Sequence, residues 1–181
     1  RLIRGFQALP KNGPYAYSDI RFFSAIIGHY VADAHVPLHA VLNYNGQLTG
    51  QTGIHNRWED ELFIRYQKQL VIKPGPLKSI THERDFIFET LLESFQLADD
   101  VLTADKEAIG DRDEYDDRYF ETLFARTRPL MEKRLNDAIT AVASIITSAW
   151  EQAGKPPLSA TPPPRPPQRR RIGQNGAAPN P

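Results

Sequence analysis

The sequence contains no cysteine in its 181 residues, and this absence limits the kinds of metal site that it can form. Disulfide bonds and cysteine-ligated zinc are excluded, so any metal ion must be held by His, Asp or Glu. An excess of charge is also absent, because 22 basic residues balance 22 acidic ones, and the overall charge does not mark a polyanion-binding protein. Long apolar runs are missing too, and none approaches the ~20 residues that a transmembrane helix needs.

The chain also lacks an initiator methionine and begins with Arg1. Its first ten residues, R-L-I-R-G-F-Q-A-L-P, are too short and too interrupted for a signal peptide. We therefore expect the chain to be a piece of a longer protein, from which a signal peptide could have been lost.

Apolar residues recur at helical spacing, and no stretch alternates with the period of a β-strand, which predicts an all-α domain over residues 1–154. The apolar fraction of 40% and the charged fraction of 24% are ordinary for a globular domain of this size. We expect a short helix end and a loop in residues 1–17, followed by four longer helices. These are predicted at 20–36 with Ser18 as N-cap, at 54–70, from a cap at Ser79 or Thr81 to Leu102, and at 119–150 with a possible kink at Pro129.

Two segments are predicted to lie outside the helices. Residues 105–117 are strongly charged and are interpreted as an exposed connector or a frayed helix start. Residues 155–181 are rich in proline, carry three consecutive arginines at 169–171 and have few large apolar residues. Such a composition cannot bury enough surface to offset its ordering entropy, so we expect a disordered, partly polyproline II tail.

Four of the five histidines lie between residues 28 and 59, together with two carboxylates at helical spacing. His29 precedes Asp33 by four residues, and His55 precedes Glu59 by the same interval. This spacing places the two side chains of each pair on one face of a helix. Imidazole and carboxylate groups side by side are ligands that zinc prefers, so both pairs are candidate metal ligands.

A third candidate ligand, His39, follows the helix-breaking Pro37. An ideal helix would rotate His39 away from His29 and Asp33, so we expect it to serve a different metal ion. A single histidine on an apolar face is more often a hydrogen-bonded core residue than a ligand. Two His/carboxylate pairs and a third histidine at a helix break nevertheless favour metal binding.

The pattern H-x-x-x-D-x-H-x-P-L-H, followed by H-x-x-W-E, resembles the zinc-dependent phospholipase C and S1/P1 nuclease superfamily. Members of that superfamily are all-helical enzymes that use three zinc ions to hydrolyse phosphate esters. The resemblance is strong from residue 26 to residue 63, roughly a fifth of the chain. It implies a zinc-dependent phosphodiesterase and, from the family's usual location, a periplasmic or secreted protein.

The resemblance also implies a role for each candidate ligand. His29 and Asp33 match a ligand pair in which the Asp bridges two of the three zinc ions. His39, His55 and Glu59 match the ligands of the third zinc ion. Three protein ligands leave the fourth position open, as in catalytic zinc sites.

The remaining residues of the motif are expected to play supporting roles. His35 is interpreted as a hydrogen-bonding residue outside the ligand set, and Trp58 as a core residue. Asn43, Tyr44 and Asn45 fit a plain turn better than a pocket mouth, although both interpretations stay open. His82, far along the chain, is expected at the surface.

The sequence departs from the family pattern before His29, where it offers only Asp19 and no histidine. The remaining zinc ligands and the Asp that orients the attacking water are therefore not identifiable. A non-catalytic helical domain with structural or vestigial zinc stays as the alternative. Among substrates, Glu59 in place of Asp is more similar to the phospholipase C branch, so a phospholipid head group is favoured over single-stranded nucleic acid.

Overall fold

The computed structural model describes residues 1–11, 13 and 15–161, and in this part of the chain the regular structure is entirely helical. Five α-helices follow one another, and no described residue forms a β-strand. This confirms the predicted all-α class. The helices are α1 (Leu2–Ala8), α2 (Ala16–Ala34), α3 (Ile54–Asn56 and Leu62–Tyr66, joined by the π-helical turn Arg57–Glu61), α4 (Glu83–Ile109) and α5 (Asp117–Gln152).

Short 3₁₀ turns extend three of these elements. Leu9–Lys11 follows α1, Pro37–Ala40 follows α2, and Gln67–Gln69 follows α3. The turn at Pro37–Ala40 matters most, because it carries His39.

Helix α5 is the central element, and three apolar clusters form along it. The first cluster joins α5 to α3 and α4 and includes Leu38 and Trp58. The second joins α5 to α2 and to Ile80, and the third joins α5 to α1 and α2. Burial of these side chains at roughly 25 cal/mol per Å² is the main favourable contribution to the free energy of folding.

An extended segment of residues 71–80, called the strap, runs along α5 and is held by a regular ladder of hydrogen bonds. Its backbone N–H groups donate to polar side chains that recur at every fourth position of the helix. The bonded strap residues are two apart, except that Gly75 and Lys78 are three apart. Two extended residues advance about 6.6 Å and four helical residues about 6 Å, so the two spacings nearly match over the two-residue steps. The bonds join the N–H groups of Val71, Lys73, Gly75, Lys78 and Ile80 to the side chains of Glu132, Asn136, Thr140, Ser144 and Ser148, at 2.6–2.9 Å.

The prolines of the strap fit this ladder. Pro74 and Pro76 occupy positions between the bonded residues, where the missing N–H group costs no hydrogen bond. The strap also explains why α4 starts later than predicted. The N–H group of Ile80 donates to Ser148, so the chain at residues 79–80 is still part of the strap. The predicted caps at Ser79 and Thr81 were therefore wrong, and α4 begins at Glu83 after His82.

Two other predicted boundaries also differ. Helix α2 begins at Ala16, so Ser18 lies within its first turn and is not the N-cap. Helix α4 continues to Ile109, so the connector is limited to residues 110–116. Asp105, predicted to be exposed, is only 1% exposed, because its carboxylate is needed in a buried hydrogen-bond network. The last helix keeps its helical structure through Pro129.

The segment after α5 is described only at its start. Trp150 Nε1 donates to the carbonyl of Pro156 at 2.9 Å, and Ser159 N donates to the hydroxyl of Tyr17 at 3.1 Å. Residues 155–161, assigned above to the tail, therefore contact the helical domain. The rest of the predicted tail, residues 162–181, lies outside the described residues.

Candidate metal centre

Three predicted ligands converge on one point. His39 Nε2 and His55 Nε2 are 2.8 Å apart, and Glu59 Oε2 lies 2.9 Å from His55 Nε2 and 3.3 Å from His39 Nε2. Ligand atoms bound at 2.0–2.2 Å to a tetrahedral zinc ion are roughly 3.3–3.6 Å apart. The three atoms would thus separate by only about half an ångström to hold one zinc ion.

The hydrogen bonding of His39 fixes which ring nitrogen faces this point. Its Nδ1 lies 3.1 Å from the backbone carbonyl of Asp33 and must donate a proton to it. In the neutral ring, Nε2 then carries a lone pair and no proton. Metal-binding histidines are commonly oriented by such a bond from the second ring nitrogen.

Glu59 supplies an independent indication of a cation. Its Oε2 atom is buried and accepts no hydrogen bond, although His55 Nε2 is 2.9 Å away. A buried acceptor without a donor costs free energy. Because His39 Nε2 is also an acceptor, a cation between the three atoms would satisfy all of them, and the residues therefore fit a zinc ion.

The turn that follows the end of α2 brings His39 back toward α2. Pro37 requires extended backbone at Val36, which has φ −82° and ψ 116°. The following 3₁₀ turn then reverses the chain and places His39 Nδ1 3.9 Å from Asp33 Oδ1. His39 is therefore next to Asp33, closer than the sequence analysis expected.

The other two candidate ligands, His55 and Glu59, lie on α3 at its π-helical turn. Turns of this kind are rare and are often found at functional sites. Gly53 precedes the helix with φ +91°, and a Cβ atom there would approach Arg57 Nη1 to 2.9 Å.

Arg57 is buried and donates to Asp105 and Tyr119, which anchors α3 to α4 and α5. Burial raises the pKa of Tyr119, so its phenol group stays neutral and can donate to Asp105.

His29 and Asp33 form a separate pair. His29 Nε2 lies 3.4 Å from Asp33 Oδ2, and the His29 side chain is 70% exposed. Within residues 1–11, 13 and 15–161, the only group of three or more His, Asp or Glu residues positioned to share an ion is His39, His55 and Glu59. The described structure thus gathers three of the five predicted ligands at one point and leaves two as a neighbouring pair.

The supporting residues lie as follows. His35 is buried, and its Nδ1 donates to the carbonyl of Val31 at 2.7 Å; burial lowers its pKa. Trp58 belongs to the core, and His82 is exposed at the start of α4. Tyr44 meets the His55 ring edge-on, with the ring centroids 6.1 Å apart.

Sequence analysis missed two residues that hold the end of α2. Arg134 Nε donates to the carbonyl of His35 at 2.9 Å, and Ser94 Oγ donates to that of Ala34 at 2.6 Å. These bonds satisfy carbonyls that the helix break leaves without partners. A signal was available, because Arg134 is a charged residue on the apolar stripe that also contains Met131.

A cavity of about 230 Å³ adjoins the metal centre. Asp33 and Glu59 form part of its wall, and most of the remaining lining is apolar. The apolar lining residues are Ala32, Val36, Trp58, Phe63, Met131, Leu135 and Ala138.

Comparisons with models of protein families, with curated proteins and with solved structures each find no match to this chain. Among the described residues, no helix has the length and apolar character needed to span a membrane.

Proposed function

We propose that this chain is a zinc-binding helical domain that acts in the hydrolysis of phosphate esters. The observation that carries the proposal is the convergence of His39, His55 and Glu59 around a buried carboxylate oxygen that accepts no hydrogen bond. The sequence resemblance to zinc-dependent phospholipase C and S1/P1 nucleases supplies the reaction class.

The roles of the chain's own groups follow from their positions. The two imidazoles and the Glu59 carboxylate would hold the zinc ion, and the Asp33 carbonyl keeps the lone pair of His39 aimed at it. A bound zinc ion would act as a Lewis acid toward a phosphoryl oxygen and lower the pKa of bound water. The largely apolar cavity beside Asp33 and Glu59 would offer the substrate an apolar surface on one side of the site.

A phospholipid head group is favoured over nucleic acid as the source of the ester. Between Val36 and Asn56 the sequence contains no lysine or arginine. Nucleic-acid binding depends largely on basic groups that neutralise backbone phosphates. The absence of basic residues from positions 36–56, which contain His39 and His55, therefore fits a substrate that carries one phosphate better than one that carries many.

A second candidate, a structural zinc site without catalysis, is favoured by one observation. His29 and Asp33 form a pair with no third ligand close enough to share an ion among the described residues. The bridged pair of zinc ions that the resemblance implies would therefore be incompletely liganded.

One experiment tests both candidates. Purified protein should contain about one tightly held zinc ion per chain, and the His39→Ala, His55→Ala double variant should lose it, because three protein ligands are the usual minimum for zinc. His82→Ala, which changes an exposed histidine, is the matched control and should retain zinc.

Elemental analysis would be paired with hydrolysis of bis-p-nitrophenyl phosphate. Zinc-dependent hydrolysis that is lost in the double variant supports the enzyme. Bound zinc without hydrolysis supports the structural role, and equal zinc content in all three proteins would end both candidates.

A further inference from the structure

The loop of residues 41–53 connects His39 to His55 and presents apolar side chains to solvent. Leu42 is 89% exposed, Leu48 is 70% exposed and Tyr44 is 51% exposed. Single exposed apolar residues are common, but three of them in one short loop beside a site are a feature of interaction surfaces.

The loop is braced by hydrogen bonds from its own polar side chains. Asn43 Oδ1 accepts from Leu48 N at 2.7 Å, and Gln47 Nε2 donates to the carbonyl of Leu42 at 2.6 Å. These two bonds link residues 42 and 43 at the start of the loop to residues 47 and 48. At the other end, Gln51 Nε2 donates to Asp105 and to the carbonyl of Leu102, which ties the loop to α4.

The position of the loop links it to the metal centre. Tyr44 contacts the His55 ring, and the loop begins and ends next to two of the three converging ligands. A surface that docks on Leu42 and Leu48 would therefore lie beside the metal centre.

The absence of charged residues from the loop indicates what kind of partner surface it can contact. No Asp, Glu, Lys or Arg occurs from Ala40 to Ile54. The loop can therefore approach hydrocarbon without desolvating a formal charge, which is the most costly step in transfer from water. By contrast, the exposed Phe88 and Leu92 of α4 have Glu89 between them.

We propose that loop 41–53 is a lipid-surface contact, which inserts Leu42, Leu48 and Tyr44 into the interfacial region of a phospholipid bilayer with zwitterionic head groups. Apolar and aromatic side chains are the groups that enter this region, and an uncharged loop has no preference for anionic lipid. The contact would bring the head-group phosphate to the metal centre, a consequence that rests on the proposed function.

The test is flotation of the purified protein with phosphatidylcholine vesicles. The Leu42→Ser, Leu48→Ser double variant should bind at least about tenfold more weakly, since tenfold corresponds to about 1.4 kcal/mol and two leucines lose their partial burial. Phe88→Ser, Leu92→Ser is the control, which replaces two exposed apolar residues of α4 by serine, and should bind as the unchanged protein does. Raising the salt concentration from about 0.05 to about 0.5 M should leave binding intact, because no ion pair contributes.

The outcomes separate this inference from the proposed function. Vesicle binding that survives His39→Ala, His55→Ala but is lost on changing the two leucines supports the lipid contact even if the protein proves to have no zinc. Zinc-dependent hydrolysis of a soluble diester by a protein that does not bind the vesicles would overturn the lipid contact alone. Loss of binding in the Phe88, Leu92 control, or loss at high salt, would also overturn it. A loss of single-stranded DNA binding in the leucine variant, with vesicle binding unchanged, would assign the loop to nucleic acid instead.

Discussion

Asp105 anchors α3 to α4 through Arg57. Its carboxylate accepts hydrogen bonds from Arg57, Tyr119 and Gln51, and Arg57 also lies over the ring of Tyr115 at 3.8 Å. Arg57 and Asp105 are both buried, so their charges compensate each other away from water. Removal of one partner leaves the other as an uncompensated buried charge.

Asp105→Asn should therefore lower the free energy of unfolding by about 3 kcal/mol and the melting temperature by roughly 6–12 °C. Thermal and urea unfolding would measure the change. The control is Asp99→Asn, an equivalent change at an exposed position of the same helix, which should stay within about 0.5 kcal/mol of the unchanged protein. Equal effects of the two substitutions would show that the buried network contributes little.

At the scale of single residues, the sequence predicted which side chains share a helix face better than it predicted which side chains are buried. The helical spacing of His55 and Glu59 correctly indicated that they share a face, because that spacing is a local property of a helix. Asp105 was misjudged because a buried acidic residue within a charged stretch has the same sequence signature as its exposed neighbours. Its partners Arg57 and Gln51 are 48 and 54 residues away in the chain, beyond the range of any local pattern.

At the scale of elements, the strap and α5 form the least expected pairing. Ser144 and Ser148 accept from the N–H groups of Lys78 and Ile80, in place of the water that an isolated extended segment would bind. Each of these bonds should contribute about 1 kcal/mol, and more where the N–H group is buried.

Ser144→Ala with Ser148→Ala should lower the free energy of unfolding by about 2 kcal/mol. Amide hydrogen exchange should also become faster at Lys78 and Ile80, since both N–H groups lose their acceptors. Thr147→Ala, on the same helix but outside the ladder, is the control. Unchanged exchange at both amides in the double variant would contradict the ladder.

Periodicity predicted the class and approximate positions of α2, α3, α4 and α5, because their apolar faces repeat at helical spacing. It failed for the strap, where the informative pattern lies on another element. Polar residues at every fourth position of α5, from Glu132 to Ser148, have the pattern of a solvent-facing stripe. Only the packing of residues 71–80 against that stripe shows that it is a row of hydrogen-bond acceptors.

At the scale of the whole molecule, the candidate metal centre depends on how α5 holds α2 and α3 together. Arg134 on α5 bonds to the end of α2, and the first apolar cluster packs α3 and Leu38 against α5. These contacts bring His39 and His55, which are separated by loop 41–53, to 2.8 Å. The sequence motif predicted that His39, His55 and Glu59 share an ion, and the structure brings these three side chains together. The meeting of His39 with Asp33 depended on the turn after Pro37 and was not anticipated.

The central claim is that His39, His55 and Glu59 hold one zinc ion. X-ray absorption at the zinc edge of the purified protein tests it most directly, because the chain has no cysteine and every protein ligand must be nitrogen or oxygen. The spectrum should show two imidazoles together with oxygen ligands at about 2.0–2.2 Å, and His55→Ala should remove one imidazole or release the ion. A zinc environment with no imidazole, or one that His55→Ala leaves unchanged, would contradict the claim.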